Sequence, residues 1–249
     1  LLFITITCTV AWFNVFSQIQ TKSPYSKIGL GLMEHTGNIV NPGMGGASTS
    51  FYKRNTLNIS NPATLSSIDT LSFIMEFGIK SDFSYMSIPD ATKKSFNNNL
   101  NYFAFGFRAN KRWVSSIGIM PVTSRGYNIV DNENVPNLGD VTKYYFGSGG
   151  ISTLFLANSF DIVENFSAAV TASYLFGRLE ETNTLMFPNL AGSYNTQEGI
   201  KQQISDFSVS FGAHYKFKKS ETDSYDFGLT FSPKNIINAE EDFLKGTTR

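Results

Sequence analysis

Residues 71–85 read LSFIMEFGIKSDFSY, and this stretch decides the fold. Leu71, Phe73, Met75, Phe77, Ile79, Phe83 and Tyr85 occupy the odd positions, and only Ser81 interrupts them. Between them lie Ser72, Glu76, Gly78, Lys80, Asp82 and Ser84, with Ile74 as the exception. Successive side chains of a strand point to opposite faces, so this alternation specifies one long strand with an apolar and a polar face. The pattern returns in Phe207, Val209, Phe211, Ala213, Tyr215 and Phe217, alternating with Asp206, Ser208, Ser210, Gly212, His214 and Lys216. Weaker copies at 100–109, 112–122, 148–160, 166–180 and 225–232 bring the expectation to about seven strands.

The connections alternate in length. The stretches 86–99, 123–147 and 181–202 read as long loops, whereas Asn110-Lys111, Asp161–Asn165 and Ser220–Ser224 read as short turns. Short turns at one end and long loops at the other are the signature of an outer-membrane barrel. A soluble sandwich has strands of about 5–6 residues and no reason to gather its long loops at one end. The expected fold is therefore all-β, an antiparallel transmembrane β-barrel. The odd residues, Phe73, Phe77, Phe207 and Phe211 among them, are expected to face lipid. Glu76, Lys80, Asp82, Asp206, His214 and Lys216 are expected to line the lumen. Tyr85, Tyr144 and Tyr145 fall near one interface, and Tyr215, Phe217 and Tyr225 near the other, where aromatic girdles sit.

Composition agrees with that class. The 249 residues carry 20 Lys+Arg and 20 Asp+Glu, so there is no net charge to draw nucleic acid. Charged residues are 16% and aromatic residues 14%, yet the mean hydropathy is only −0.11. Large rings without long apolar runs exclude a bundle of membrane-spanning helices. They also exclude a disordered chain, which is poor in aromatics.

Three segments follow. Residues 1–17 open with LLFITITCTVAWFNVF, uncharged and mostly apolar, and read as a signal peptide lacking its basic start, with a cut after Ser17. Cys8 is the single cysteine and lies in that segment, so no disulfide, thiol nucleophile or Cys metal site is expected in the exported protein. Residues 18–68 are rich in Gly, Asn, Ser and Pro, with Asn41-Pro42, Asn61-Pro62 and the cluster Gly43–Ala47. They read as turns, with short helical pieces near Phe51–Asn55 and Pro62–Ser67, and as a plug inside the barrel. Gly43–Ala47 is read as backbone packed in a confined space. Residues 69–249 form the barrel wall. Seven strands do not close such a barrel and the end at Arg249 carries no terminal aromatic strand, so this segment is expected to be the first part of a longer wall.

No catalytic constellation stands out. His35 and His214 lie in different regions, and His214 reads as a solvated lumen position. There is no HExxH, no phosphate loop and no zinc spacing. Glu180-Glu181 and Glu240-Glu241-Asp242 read as solvated acids rather than a calcium site. No enzyme, cofactor or metal is expected.

The order of short motifs points to a family. Ser23-Pro24-Tyr25-Ser26, Gly29-Leu30-Gly31, Met44-Gly45-Gly46-Ala47 and Asn61-Pro62-Ala63 resemble the FadL/toluene-transporter outer-membrane family, in its Bacteroidetes-like members. Ile117–Pro121 with Tyr127, Gly147–Gly150, and Asp161–Tyr174 with Leu175-Phe176-Gly177 continue the likeness. The resemblance implies a barrel of about fourteen strands, plugged by an N-terminal hatch that contains Asn61, Pro62 and Ala63, with Gly45 and Gly46 beside them. It implies outer-membrane transport of a hydrophobic small molecule, of the long-chain fatty acid or aromatic hydrocarbon class. The partners are then the lipid bilayer and that substrate. The alternative is an accessory barrel of a secretion or gliding system, type IX-like, that binds a protein partner. An outer-membrane enzyme is the weaker alternative.

Overall fold

The computed structural model describes residues 23–34, 37, 41–88, 91–136, 139–189, 192–220 and 223–248. The signal-peptide reading of 1–17, Cys8, residues 18–22 of the plug segment, and His35 lie outside them. The wall is an antiparallel half-barrel of seven strands in chain order: β2 (Phe73–Ile88), β3 (Ala91–Asn110), β4 (Trp113–Val135), β5 (Gly139–Val163), β6 (Phe166–Met186), β7 (Asn195–Lys218) and β8 (Ser224–Phe231). Two more strands attach to it. β1 (Leu32–Met33) pairs with β4, and β9 (Ala239–Thr248) pairs with β7. Among the described residues no helix is long and apolar enough to cross a membrane.

The short turns stand where the sequence places them. The long loops do not. Residues 86–99, 123–147 and 181–202 are mostly strand: Val135 faces Gly139 at one hairpin tip, and Ile88 faces Ala91 at another. In these hairpins, stretches such as Asp131–Asn134 are polar on both faces, so apolar alternation vanishes while the backbone ladder continues. β9 escapes detection for the same reason, since Glu240, Glu241 and Asp242 leave it little apolar signal. The first strand begins at Phe73, not Leu71, because Leu71 adopts a left-handed φ of 62°.

Two irregularities shape the half away from the short turns. β3 pairs with β4 only from Phe103↔Ile119 to Asn110↔Trp113, and beyond that point the β4 edge receives β1 instead, as Leu32↔Ser124 and Met33↔Thr123. Gly31 (φ 101°) makes this approach possible, because any Cβ there would strike the Ser124 carbonyl. On the last edge, β8 covers Phe211–Lys218 and β9 covers Asn195–Ile204. Between them the chain leaves the ladder at Pro233, which has no N–H to donate. Asn235 Nδ2 bridges this break to the Phe207 carbonyl at 2.8 Å.

The main core lies on the inner face, where Leu57, Leu65 and Ile68 pack against Tyr102, Ala104, Val114, Phe155 and Ala157. Phe73, Met75, Phe77, Ile79, Phe207, Phe211 and Phe217 point away from it and are exposed.

Candidate functional site: the inner strap and the short-turn end

Residues 41–72 cross the inner face as a strap. The 3-10 helix Pro62–Ser67 is its centre, and Asn61 starts it: the side chain caps the Ala63 N–H at 3.2 Å, and Pro62 supplies the preset φ of a first helical residue. Asn61 is fully buried, at 0% exposure. Its Nδ2 donates to the Thr49 carbonyl at 2.7 Å and to the Ala213 carbonyl of β7 at 3.0 Å. A buried amide with its donors and acceptor all used fixes the strap against the wall.

Every strand from β2 to β8 touches this strap or the N-terminal segment leading to it. Glu76 of β2 accepts from the Leu57 N–H and from the Tyr102 hydroxyl, both at 2.9 Å. Arg108 of β3 donates through Nε to the Ile68 carbonyl (2.6 Å) and through one terminal nitrogen to the Ser66 carbonyl (2.5 Å). Its other terminal nitrogen reaches Lys111 O at 2.8 Å and Asp161 at 3.0 Å. Val114 of β4 joins the core around Leu57, and the Gly126 N–H of the same strand donates to Ser26. Ser159 of β5 and Ser167 of β6 both donate to the Ala63 carbonyl, at 3.2 and 2.7 Å. On β7 and β8, Gly212 and Gly228 leave room for Asn61 and for the Thr49 carbonyl, and a Cβ at either would collide.

The residues expected to line the lumen do not form one site. Lys80 pairs with Glu34 at 2.9 Å and with Asp82 at 3.2 Å. His214 is not solvated as its alternation suggested: it is 3% exposed, because Tyr52 of the strap stacks on its ring at 4.7 Å. Its Nε2 lies 3.1 Å from Asp226, and Lys216 sits over the Tyr52 ring. Asp206 stands apart at the β8–β9 break, where it accepts from the Asn238 N–H at 3.3 Å. Gly45 and Gly46 are exposed rather than confined. Their need is conformational, with φ of 66° and 84° in the turn after Asn41–Met44. The Phe51–Asn55 helical piece is absent, whereas Pro62–Ser67 is helical as read.

At the short-turn end a clasp closes the strap. Arg54 Nε meets both Asp69 carboxylate oxygens (3.0 and 2.8 Å), Asn55 Nδ2 donates to Asp69 at 3.0 Å, and the Asp69 N–H returns a bond to Asn55 Oδ1 at 3.1 Å. The bonds from Arg54 and Asn55 hold the Asp69 carboxyl below the usual carboxylate range. Among the described residues no group of three or more His, Cys, Asp or Glu could hold a metal ion.

Sequence reasoning missed Arg108, Tyr52, Ser159 and Ser167 as strap contacts. Glycines at inward positions of otherwise regular strands, Gly106, Gly212 and Gly228, were the available signal, since they mark close approach of another segment.

No curated protein and no solved structure matches the chain. The family model BamG matches residues 2–247. That name is of a component of the β-barrel assembly machinery associated with the outer membrane. The match overturns the likeness to FadL/toluene transporters and, with it, the reading of a channel for hydrophobic small molecules. The short motifs behind that likeness, Asn61-Pro62-Ala63 and Gly45-Gly46, are accounted for by a capped 3-10 helix and a tight turn, so they specify local backbone and not a substrate.

Proposed function

The chain belongs to the BamG family, and from that premise we propose that it is an accessory subunit of the outer-membrane β-barrel assembly machinery, acting through a protein partner. The family match is the observation that carries this reading. It is nearer to the accessory barrel with a protein partner than to a transporter. The geometry supports it: a strap anchored to seven strands makes a filled, stiff scaffold suited to presenting surfaces. The role requires no catalysis, cofactor or metal.

In this reading the wall sits in the outer membrane and segment 18–68 is its internal plug. Phe73, Phe77, Phe207 and Phe211 contact lipid. Spanning a bilayer takes about 9–11 residues of tilted strand. β4, β5, β6 and β7 run 23, 25, 21 and 24 residues, so their far ends project beyond the headgroups.

The test is isolation of the tagged chain from detergent-solubilised outer membranes. The barrel-inserting subunit of the machinery should accompany it, and depletion of the chain should lower the amounts of other outer-membrane barrels. A chain that purifies alone, with unchanged barrel levels on depletion, would refute the role.

A further inference from the structure

Leu71 is an unusual leucine. It holds a left-handed φ of 62° and is 96% exposed. A γ-branched apolar side chain gains nothing from that backbone region and nothing from water. The conformation is nevertheless well determined. The Asn55–Asp69 clasp lies two residues before it, the Ser72 N–H bonds the Asp69 carbonyl at 3.2 Å, and Arg108 ties the Ile68 carbonyl to β3. The fold therefore presents an apolar knob at the short-turn end without using it internally.

The charges around this end are unbalanced. Of its acids, Asp69 and Asp161 are paired with Arg54 and Arg108, whereas Asp226 lies 3.1 Å from the His214 ring, which Tyr52 covers. Lys53, Lys111, Arg112, Lys218 and Lys219 are exposed and form no ion pair with another described residue, with Glu164 and Asp223 as the remaining described acids. Lys53 and Arg54 belong to the strap, inside the wall, and not to its outward face.

We propose that the short-turn end is a docking face for a protein partner that offers an apolar socket to Leu71 within a rim of carboxylates. This rests on the accessory-subunit reading and says where that contact is made. Excess cation complements an acidic rim. Leu71, the most exposed of the large apolar side chains among the described residues, offers the anchor of an interface hot spot, with Ile162 and Val163 exposed at the same end. A lipid surface fits less well, because the cations extend from the rim to the strap and so away from the lipid-facing side.

The experiment measures how much barrel-inserting subunit the tagged full-length chain retains from solubilised membranes, at low and high salt. Leu71→Gly removes the knob and relieves its backbone, so the variant folds at least as well as wild type. It should nevertheless lose roughly tenfold in retention. The double variant Lys111→Glu/Arg112→Glu should lose retention at low salt and flatten the salt dependence. Glu133→Gln, at the far end, should retain the subunit as wild type does. If wild type retains the subunit and Leu71→Gly and the charge variant do so equally, the docking face is wrong while the function stands. If wild type retains none, the function falls and the face with it. If the charge variant keeps the subunit but loses sedimentation with phosphatidylglycerol vesicles, the surface serves lipid and the proposal is overturned.

Discussion

The two ends of the half-barrel are built on different terms. At the short-turn end, adjacent strands pair from β2 through β8, and Asn61, Arg108, Ser159 and Ser167 hold backbone carbonyls in protected positions. At the far end β3 has parted from β4 and β9 has replaced β8. Toward the hairpin tips, beyond the Glu34 contacts to Ser124 and Lys80, the side-chain contacts include exposed pairs within or between neighbouring strands. Glu133–Lys143 at 2.6 Å and Glu198–Lys245 at 2.9 Å are examples. Such exposed pairs contribute little, whereas a buried guanidinium serving several carbonyls links everything it touches. The strapped end should thus open as one unit, and the far hairpins should open one by one.

The sharpest way to break this contrast is Arg108→Ala. The substitution strands Asp161 and leaves the Ser66 and Ile68 carbonyls without their donor, which should cost about 3 kcal/mol. Urea unfolding of the refolded protein should show the loss. An unchanged midpoint would mean that the strap is not what unifies this end.

A second comparison sets the outer face against the inner. Arg at Phe77 or Phe211 should cost roughly 2–4 kcal/mol at the bilayer midplane, where a lipid-facing charge is most penalised. Arg at Ser210, on the alternate face, should cost less. Gly78 is an unsuitable control, since any side chain there meets the Tyr102 ring. Folding yield into vesicles discriminates, and equal losses at Phe211 and Ser210 would remove the lipid-facing assignment.

Asn61→Ala comes next, at about 1–3 kcal/mol for buried partners left unpaired. Asn61→Asp keeps the acceptor for Ala63 but sets a carboxylate oxygen against the Thr49 and Ala213 carbonyls in a fully buried site, so it should lose at least as much as alanine in the same unfolding measurement. If aspartate matched wild type, the bonds to the wall would be dispensable.

Legibility in the sequence follows the same division. The alternation at Phe73–Tyr85 and Phe207–Phe217 announced strands because one face is apolar and the other polar. Where both faces are polar, as at Asp131–Asn134 and Glu240–Asp242, periodicity carries no signal, so long strands read as loops and β9 was invisible. Asn61-Pro62 could be read as a turn from its own chemistry. Its anchor at Ala213 could not, because a backbone carbonyl leaves no trace in residue identity. The motif likeness misassigned the family for a related reason: capped turns and tight glycine turns recur wherever the backbone needs them.

The smallest effect expected is at the clasp, and it depends on pH. Arg54 and Asn55 hold the Asp69 carboxyl below its ordinary value, so the folded state binds the proton less readily than the unfolded chain does. The stabilisation is complete above the ordinary carboxylate pKa of about 3.9 and disappears as pH falls through the lowered folded value. Arg54 is largely exposed, so salt screens the pair and the whole molecule should barely register its loss. The local backbone should respond more. Amide exchange at Ser72, whose N–H bonds the Asp69 carbonyl, should lose protection at pH 3 relative to pH 6 once intrinsic exchange rates are divided out. Asp69→Asn should bring the pH 6 value to the pH 3 level and remove the difference. If Ser72 in Asp69→Asn still loses protection on acidification, another carboxylate governs this end, and the clasp does not set the conformation of Leu71.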